Sequence, residues 1–357
     1  MKGVIKKTTA LVFCVAGIVA AVAVTGAVQS SPKKGEKENN FVQLSETEPV
    51  RSSEDMLEHA LKSVVGISAA DHSDKEAEQL LSMGSGVIVS EDGYIITNHH
   101  VIGARPRRIE VTLSDGKILQ GKTVWSDAAL DLAVVKIPGS GYVYSQMGDA
   151  KQLRVGEGVL AIGNPLSMQF ERTVTAGIVS AVGRSIDVEN EKGESYYMED
   201  LIQTDASINP GNSGGPLLDS RGKIAGINTV KVSTAEGMGF AVPVNVCVPV
   251  IERLRIKGEF ATPYLGLYAY TPAAARYFGN KEMGEGIFVG KLDNTGPAFK
   301  AGIRYGDIIT EVNGKKVETM LDLREELYHF QSGDTIEIKY KRGKNYKITN
   351  ATLANTP

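Results

Sequence analysis

The sequence predicts a mainly β protein: an all-β barrel or sandwich, then a smaller domain, behind a membrane-spanning N-terminal segment. Three observations carry this. From about Ser53 to Glu259 apolar residues alternate in short runs divided by glycine turns, as in "LLSMGSGVIVSEDGYIITNHHVI", "DLAVVKI", "TVTAGIVSAVG", "KIAGINTV" and "GFAVPV", while few segments carry a helical period. A break at "GEFATPYLG" opens a second unit of roughly 95 residues, a usual domain size. The stretch "TTALVFCVAGIVAAVAVTGAV", Thr8 to Val28, holds no charge and is long enough to cross a bilayer.

Composition sets the outer limits. A chain of 357 residues, 42% hydrophobic and 23% charged, is globular and too long for one ordinary core. Its net charge of −3 shows no basic excess, which argues against a nucleic acid partner. The only cysteines are Cys14 and Cys247, so neither a disulfide framework nor a cysteine metal cluster can be built. The five histidines form no i, i+4 pair with an acid and no glycine-rich phosphate loop is present, so no metal and no cofactor are expected.

Taken in order, residues 1–28 form a short cytoplasmic tip with Lys2, Lys6 and Lys7, followed by the apolar anchor. A secretory signal peptide is the alternative: Leu11 to Ala23 makes an adequate apolar core, and Ala21-Val22-Ala23 offers a cleavage site. The apolar run continues past that site, which favours an uncleaved single-pass anchor over release of a secreted product. Both readings leave the bulk of the chain outside the cytoplasm. Residues 29–52, with "SSPKKGEKENN", have no apolar period and read as a flexible tether. Residues 53–260 make the strand-rich domain, and residues 261–357 the smaller one.

The chemistry centres on "SINPGNSGGPL", residues 207–217. A serine hydroxyl becomes a nucleophile only beside a base, and acyl transfer needs open N–H groups where the oxyanion forms. Glycines around Ser213 can provide that open backbone. By itself the stretch also fits an ordinary glycine-rich turn. "GNSGG" satisfies the elbow pattern of an α/β-hydrolase, but that arrangement needs its acid and histidine after the serine and a helix directly behind it. Only His329 follows Ser213, and "PLLDSRGKIAGI" reads as strand and turn. The opposite order, histidine then aspartate then serine on a double β-barrel, finds candidates in the "ITNHHVI" histidines, His99 and His100, and in Asp131 of "LDLAVVKI". His59 and His72 lie in polar stretches near the start of the domain.

"TNHHV", "DLAVVKI" and "GNSGGPL" together resemble the HtrA (DegP/DegS-like) family of serine proteases, over about residues 55–357. The resemblance implies a chymotrypsin-like double β-barrel protease domain followed by an α+β PDZ domain. Its Thr-Asn-x-His-Val pattern selects His100 as general base, with Asp131 as the orienting acid and Ser213 as the nucleophile. The oxyanion hole would be made by the N–H groups of Gly211 and Ser213, with Asn212 between them. The stretch before the nucleophile lines the S1 pocket in that fold; here it offers Ile208 and no acid, so small or medium aliphatic P1 residues are expected. "GINTV" resembles the strand that pairs with substrate backbone, making Asn228 and Thr229 candidate substrate contacts.

The C-terminal unit carries "YLGLYAY" and "TMLDLREELYHF". Thr319 with Asp322 predicts a capping box, and Leu323, Leu327 and Phe330 form one apolar helical stripe. Its order resembles a PDZ domain of the HtrA type, in which Tyr264, Leu265, Gly266 and Leu267 match the loop that captures a peptide's terminal carboxylate. One PDZ domain, a tether and an anchor resemble the regulated, DegS-like members, and "VGRS" puts Arg184 at the position of the family's regulatory loop arginine. The stretch "SIDVENEKGESYYMED" after it reads as a long acidic loop. The resemblance further implies a homotrimer, unfolded or misfolded extracytoplasmic proteins as substrates in protein quality control and stress response, and C-terminal peptides as PDZ partners. A catalytically silent PDZ scaffold or chaperone is the alternative.

Overall fold

The computed structural model describes residues 53–71, 82–104, 106–164, 173–189, 195–209, 211–231, 237–277 and 284–356. The expected anchor and tether, residues 1–52, and His72 lie outside the described residues. Among the described residues no helix is long and apolar enough to cross a membrane.

Helix α1 (Ser53–Ser63), with Glu54 and Asp55 in its first turn and Lys62 in its last, complements its own dipole. It leads into a closed barrel of six strands: β1 (Val64–Asp71), β2 (Ser82–Ile88), β3 (Tyr94–Thr97), β4 (Pro106–Thr112), β5 (Ile118–Asp127) and β6 (Leu132–Lys136), in the order β1-β2-β3-β6-β5-β4. A one-turn helix, α2 (His99–Ile102), interrupts the path between β3 and β4. Strands β3 and β6 are apolar runs because both of their faces are covered. Alternate residues turn opposite ways: Ile95, Ala133 and Val135 fill the barrel interior, whereas Ile96, Leu132 and Val134 join a cluster shared with the rest of the protein.

The second closed barrel comprises β7 (Gly158–Gly163), β8 (Thr173–Glu189), β9 (Ser195–Thr204), β10 (Pro216–Leu218), β11 (Ile224–Lys231) and β12 (Gly239–Pro243), ordered β10-β11-β12-β9-β8-β7. Val159, Ala161, Ile202 and Leu217 lie in its core. The acidic stretch after Arg184, expected as a loop, is strand on both sides of residues 190–194: Ile186 pairs with Met198 and Asp187 with Tyr197. Met198 is buried and Asp187 exposed, as one covered strand face requires, and the many acids of the stretch make it read as a loop in the sequence.

Helix α3 (Cys247–Lys257) follows, closed by Gly258 in the left-handed conformation. Its Val250, Ile251 and Leu254 are buried in the shared cluster. Cys247 beside them is fully buried, and burial pushes its thiol up to about 12.

The C-terminal part pairs β13 (Pro263–Tyr264) with β20 (Ala354–Asn355), and builds a sheet from β14 (Leu267–Tyr270), β15 (Ile287–Leu292), β16 (Ile308–Val312), β18 (Thr335–Arg342) and β19 (Asn345–Thr352) in that order, with β17 (Lys315–Lys316) against β16. Helices α4 (Pro272–Tyr277), α5 (Pro297–Lys300) and α6 (Met320–Leu327) accompany it. The capping box is present: Asp322 N–H donates to Thr319 Oγ1 and Thr319 N–H to Asp322 Oδ2, both at 3.0 Å. Leu323 and Leu327 are buried and Phe330 packs beside them.

Three aromatic rings join this part to the first barrel, each edge to face: Trp125 with Phe260 at 6.3 Å, Trp125 with Tyr328 at 6.1 Å, and Phe260 with Tyr328 at 5.5 Å. Their polar ends are satisfied, Trp125 Nε1 donating to Thr262 Oγ1 at 3.1 Å and Tyr328 Oη to Asp127 Oδ2 at 3.0 Å.

Candidate active site

Strand β3 ends at Thr97, and the chain turns into α2, which leaves His100 half-exposed. Asp131 precedes β6 with φ 53°, left-handed for a residue with a side chain, and is only 5% exposed. That geometry brings its carboxylate under the imidazole. His100 Nδ1 lies 2.9 and 2.8 Å from the two carboxylate oxygens, and His100 N–H donates to Oδ1 at 3.0 Å. An ionised carboxylate only accepts, so Nδ1 carries the proton and Nε2 is left as the basic nitrogen.

Thr229 completes the setting. Its hydroxyl donates to Asp131 Oδ2 at 2.5 Å, and its carbonyl accepts from the Ser213 hydroxyl at 3.0 Å. Asn98 Nδ2 holds the Asp131 carbonyl at 2.9 Å. His99 turns elsewhere, with Nδ1 2.6 Å from Ser126 Oγ.

The turn that carries Ser213 is held by its neighbours. Asn212 is buried; its Oδ1 accepts from Asn209 N–H at 3.0 Å and its Nδ2 donates to the Ser207 carbonyl at 2.9 Å. Its side chain therefore braces the loop. Gly214 has φ 83°, and a Cβ there would lie 2.1 Å from the Ser85 carbonyl oxygen; one on Gly215 would lie 2.0 Å from that of Ile162. No other residue fits at either place. Gly211, with φ 111°, and Ser213 offer N–H groups that meet no protein acceptor among the described residues, which is the disposition an oxyanion requires.

The trypsin-like peptidase domain family matches residues 84–227 and the PDZ domain family matches residues 266–353. Serine protease Do-like HtrB of Bacillus subtilis (strain 168) is 38% identical over 353 residues, spanning 91% of this chain and 75% of that protein. This chain belongs to the HtrA family of serine proteases. Its activity is that of a serine endopeptidase. The probable periplasmic serine endoprotease DegP-like of Ectopseudomonas mendocina is 37% identical, over 77% of this chain and 57% of that protein. Among solved structures, the serine endoprotease from Yersinia pestis superposes with a TM-score of 0.57 at 32% identity, covering 86% of this chain and 100% of that one. The HtrA-type protease AlgW with a tripeptide gives 0.62 at 32% identity, covering 86% and 98%.

The other sequence-selected positions of this HtrA chain fall as follows. Ile208 is 2% exposed and packs in the second barrel's core; a Cβ on Gly239 would come within 2.4 Å of it. Asn228 is fully buried, its Nδ2 donating to the Pro216 carbonyl at 3.0 Å, and the Thr229 side chain is spent on Asp131. The side chains of these two residues thus serve the site from within, which leaves the expected substrate contact to their strand backbone. Arg184 stands exposed on β8, in strand rather than loop, donating to Gln203 Oε1 at 3.0 Å. In the PDZ domain Tyr264 Oη donates to Asp293 Oδ2 at 3.0 Å, Leu265 is buried with its carbonyl accepting from Ala298 N–H, and Gly266 turns with φ 76° into Leu267, the first residue of edge strand β14.

Sequence reasoning missed Thr229 as a partner of Asp131, and missed Ser85, Glu199 and Asp200 altogether. Tyr268 Oη donates to Glu199 Oε1 at 3.1 Å and Leu321 N–H to Asp200 Oδ2 at 3.0 Å, so the β8–β9 hairpin reaches the PDZ domain through two acids. Burial above all, then the adjacent Asp200 carboxylate, pushes Glu199 up to about 7; burial pushes Asp200 up to about 6. No local sequence signal marks such long-range partners.

Proposed function

We propose that this HtrA chain is a membrane-tethered endoprotease that cleaves unfolded or misfolded extracytoplasmic proteins through His100, Asp131 and Ser213, under the control of its PDZ domain. The observation that carries it is the two-oxygen grip of Asp131 on His100 Nδ1, which leaves Nε2 as the base. The Ser213 hydroxyl turns about one side-chain bond from the Thr229 carbonyl toward Nε2, and Oγ attacks the substrate carbonyl carbon as its proton passes to the imidazole. The carbonyl electron pair moves onto oxygen and is met by the Gly211 and Ser213 N–H groups, each such donor being worth about 10²- to 10³-fold in rate. Collapse of the adduct breaks the C–N bond, and the imidazolium returns its proton to the leaving amine. Water then repeats the sequence in reverse and frees Ser213. The stretch before the nucleophile, residues 206–210, carries no acid, which favours small or medium aliphatic P1 residues over basic ones, because a buried unpaired charge is costly.

Extracytoplasmic placement draws support from the uncharged Thr8–Val28 segment and from relatives named as periplasmic. Peptide capture at β14 is supported by its edge position and by the peptide in the AlgW structures. We extend the reading to a division at residue 260/261 and to a homotrimer with Arg184 as its regulatory relay. The decisive experiment treats parent and Ser213→Ala chains with a serine-reactive peptidyl phosphonate and with denatured casein, with and without C-terminal peptides. Parent activity should fall at least about 10³-fold in the variant, and equal rates would refute the assignment.

A further inference from the structure

The first barrel sends one buried side chain into the nucleophile loop of the second. Ser85 sits in β2 within "MGSGV", fully buried, and its glycine neighbours let the strand press close. A Cβ on Gly84 would lie 3.0 Å from the Ser213 carbonyl oxygen, and one on Gly86 2.7 Å from Ile67 and Ile95. The contact this permits is dense in hydrogen bonds. Ser85 Oγ donates to the Gly211 carbonyl at 2.5 Å and accepts from Asn164 N–H at 2.7 Å. Ser85 N–H donates to the Ser213 carbonyl at 2.8 Å, and Thr97 Oγ1 donates to the Ser85 carbonyl at 2.7 Å.

One residue thereby holds the carbonyls of both Gly211 and Ser213, the two residues whose own N–H groups meet no protein acceptor among the described residues. The restraint matters most at Gly211. Without a Cβ, and with φ 111°, it has wide freedom in ψ, so its own conformation does not aim the adjoining peptides. Among the described residues the bonds that orient the Gly211–Asn212 peptide are Ser85 Oγ to the Gly211 carbonyl and Asn212 N–H to the Asn209 carbonyl at 3.1 Å. Removing the hydroxyl takes the donor from the part-buried Gly211 carbonyl and the acceptor from the Asn164 N–H, and the loop relieves this by turning.

We propose that Ser85 is a positioning residue of the catalytic machinery: its hydroxyl, reaching across the barrel interface, fixes the Gly211–Asn212 peptide and with it the ψ of Gly211, so that the adjoining Gly211 and Ser213 N–H groups are held where the oxyanion forms. The inference rests on Ser213 being the nucleophile, as read above.

The test uses the full chain and its Ser85→Ala, Ser85→Cys and Ser85→Thr variants. Hydrolysis of dye-labelled denatured casein gives kcat and KM, and a valine-ended peptidyl boronate, whose adduct places an oxygen in the anion pocket, gives an inhibition constant. In Ser85→Ala, kcat should fall about 10- to 100-fold, somewhat less than loss of a whole donor, with KM within about threefold, the signature of an interaction made in the transition state. Boronate affinity should fall in parallel, and Ser85→Thr, which keeps the hydroxyl, should regain part of both. Ser85→Cys, nearly isosteric with a weak donor, gives the same reading should the alanine variant not fold. A folded Ala or Cys variant with parental kcat overturns the proposal, as does a lowered kcat with unchanged boronate affinity. Should a peptidyl phosphonate fail to label Ser213 in the parent, the underlying reading fails instead, a result distinct from either.

Discussion

Glu199→Gln should stabilise the protein at pH 8 and change it little at pH 4.5. Glu199 and Asp200 extend from β9 toward β14 and α6, where Tyr268 and the Leu321 N–H meet them, with Tyr197, Asp322 and Arg324 as the other titratable or charged neighbours. A free glutamic acid titrates near 4.5, and Glu199 is pushed up to about 7, first by burial and then by the Asp200 charge. A carboxyl whose native value is raised is penalised whenever it is ionised. The penalty is absent below about pH 4.5, grows across the window and is complete above about pH 7, so stability is lost as pH rises. The full rise corresponds to about 3 kcal/mol; the partly open side of Glu199 reduces this to about 2 kcal/mol. Glutamine keeps an oxygen for Tyr268 and cannot ionise. Trp125 is the sole tryptophan and packs on Phe260 and Tyr328 where the first barrel meets the C-terminal domain, so its fluorescence in urea reports the relevant contact. Parent stability should fall away from the variant's between pH 4.5 and 8. Two curves that stay parallel over that range would refute the reasoning.

Other perturbations read different parts of the molecule. Thr229→Val removes the hydroxyl that Asp131 accepts, and kcat should drop about tenfold, in line with a hydrogen bond to a charged group; an unaltered kcat in steady-state assays would show that the contact is idle. Tyr328→Phe deletes the bond to Asp127 and should cost about 1.5–3 kcal/mol in urea unfolding, against no loss if that bond contributes nothing. Gly214→Ala places a methyl against the Ser85 carbonyl at φ 83°, and phosphonate labelling of Ser213 should be abolished; normal labelling would mean that the loop has room. Cys247, buried and with its thiol pushed up to about 12, should resist alkylation by iodoacetamide until urea unfolds the chain, as mass spectrometry of intact protein would show.

The β character, the C-terminal unit and the cradle around Ser213 were legible because they are written in local code: alternation, turn glycines and short motifs. The capping box at Thr319 and Asp322 belongs to the same class, since both partners lie within one helical turn. Helices α1 and α3 escaped notice because each is only 11 residues long and carries a short apolar face among stretches read as strands. The β8–β9 hairpin was concealed by its many acids, which make a covered strand resemble a solvated loop; two of them, Glu199 and Asp200, turn inward toward the C-terminal domain.

What the sequence by itself determined are the residue types and their order: a histidine pair, then an aspartate, then a serine among glycines, followed by a loop of "YLGL" type. Only the tertiary structure decided which side chains meet. It turned His99 toward Ser126 and His100 toward Asp131, spent the Thr229 hydroxyl on the carboxylate, and brought Ser85 across from the other barrel. The physical reason is range. Periodicity and turn chemistry act over a few residues, whereas these hydrogen bonds join positions 27 to 126 residues apart, and their partners become neighbours only once the barrels have closed.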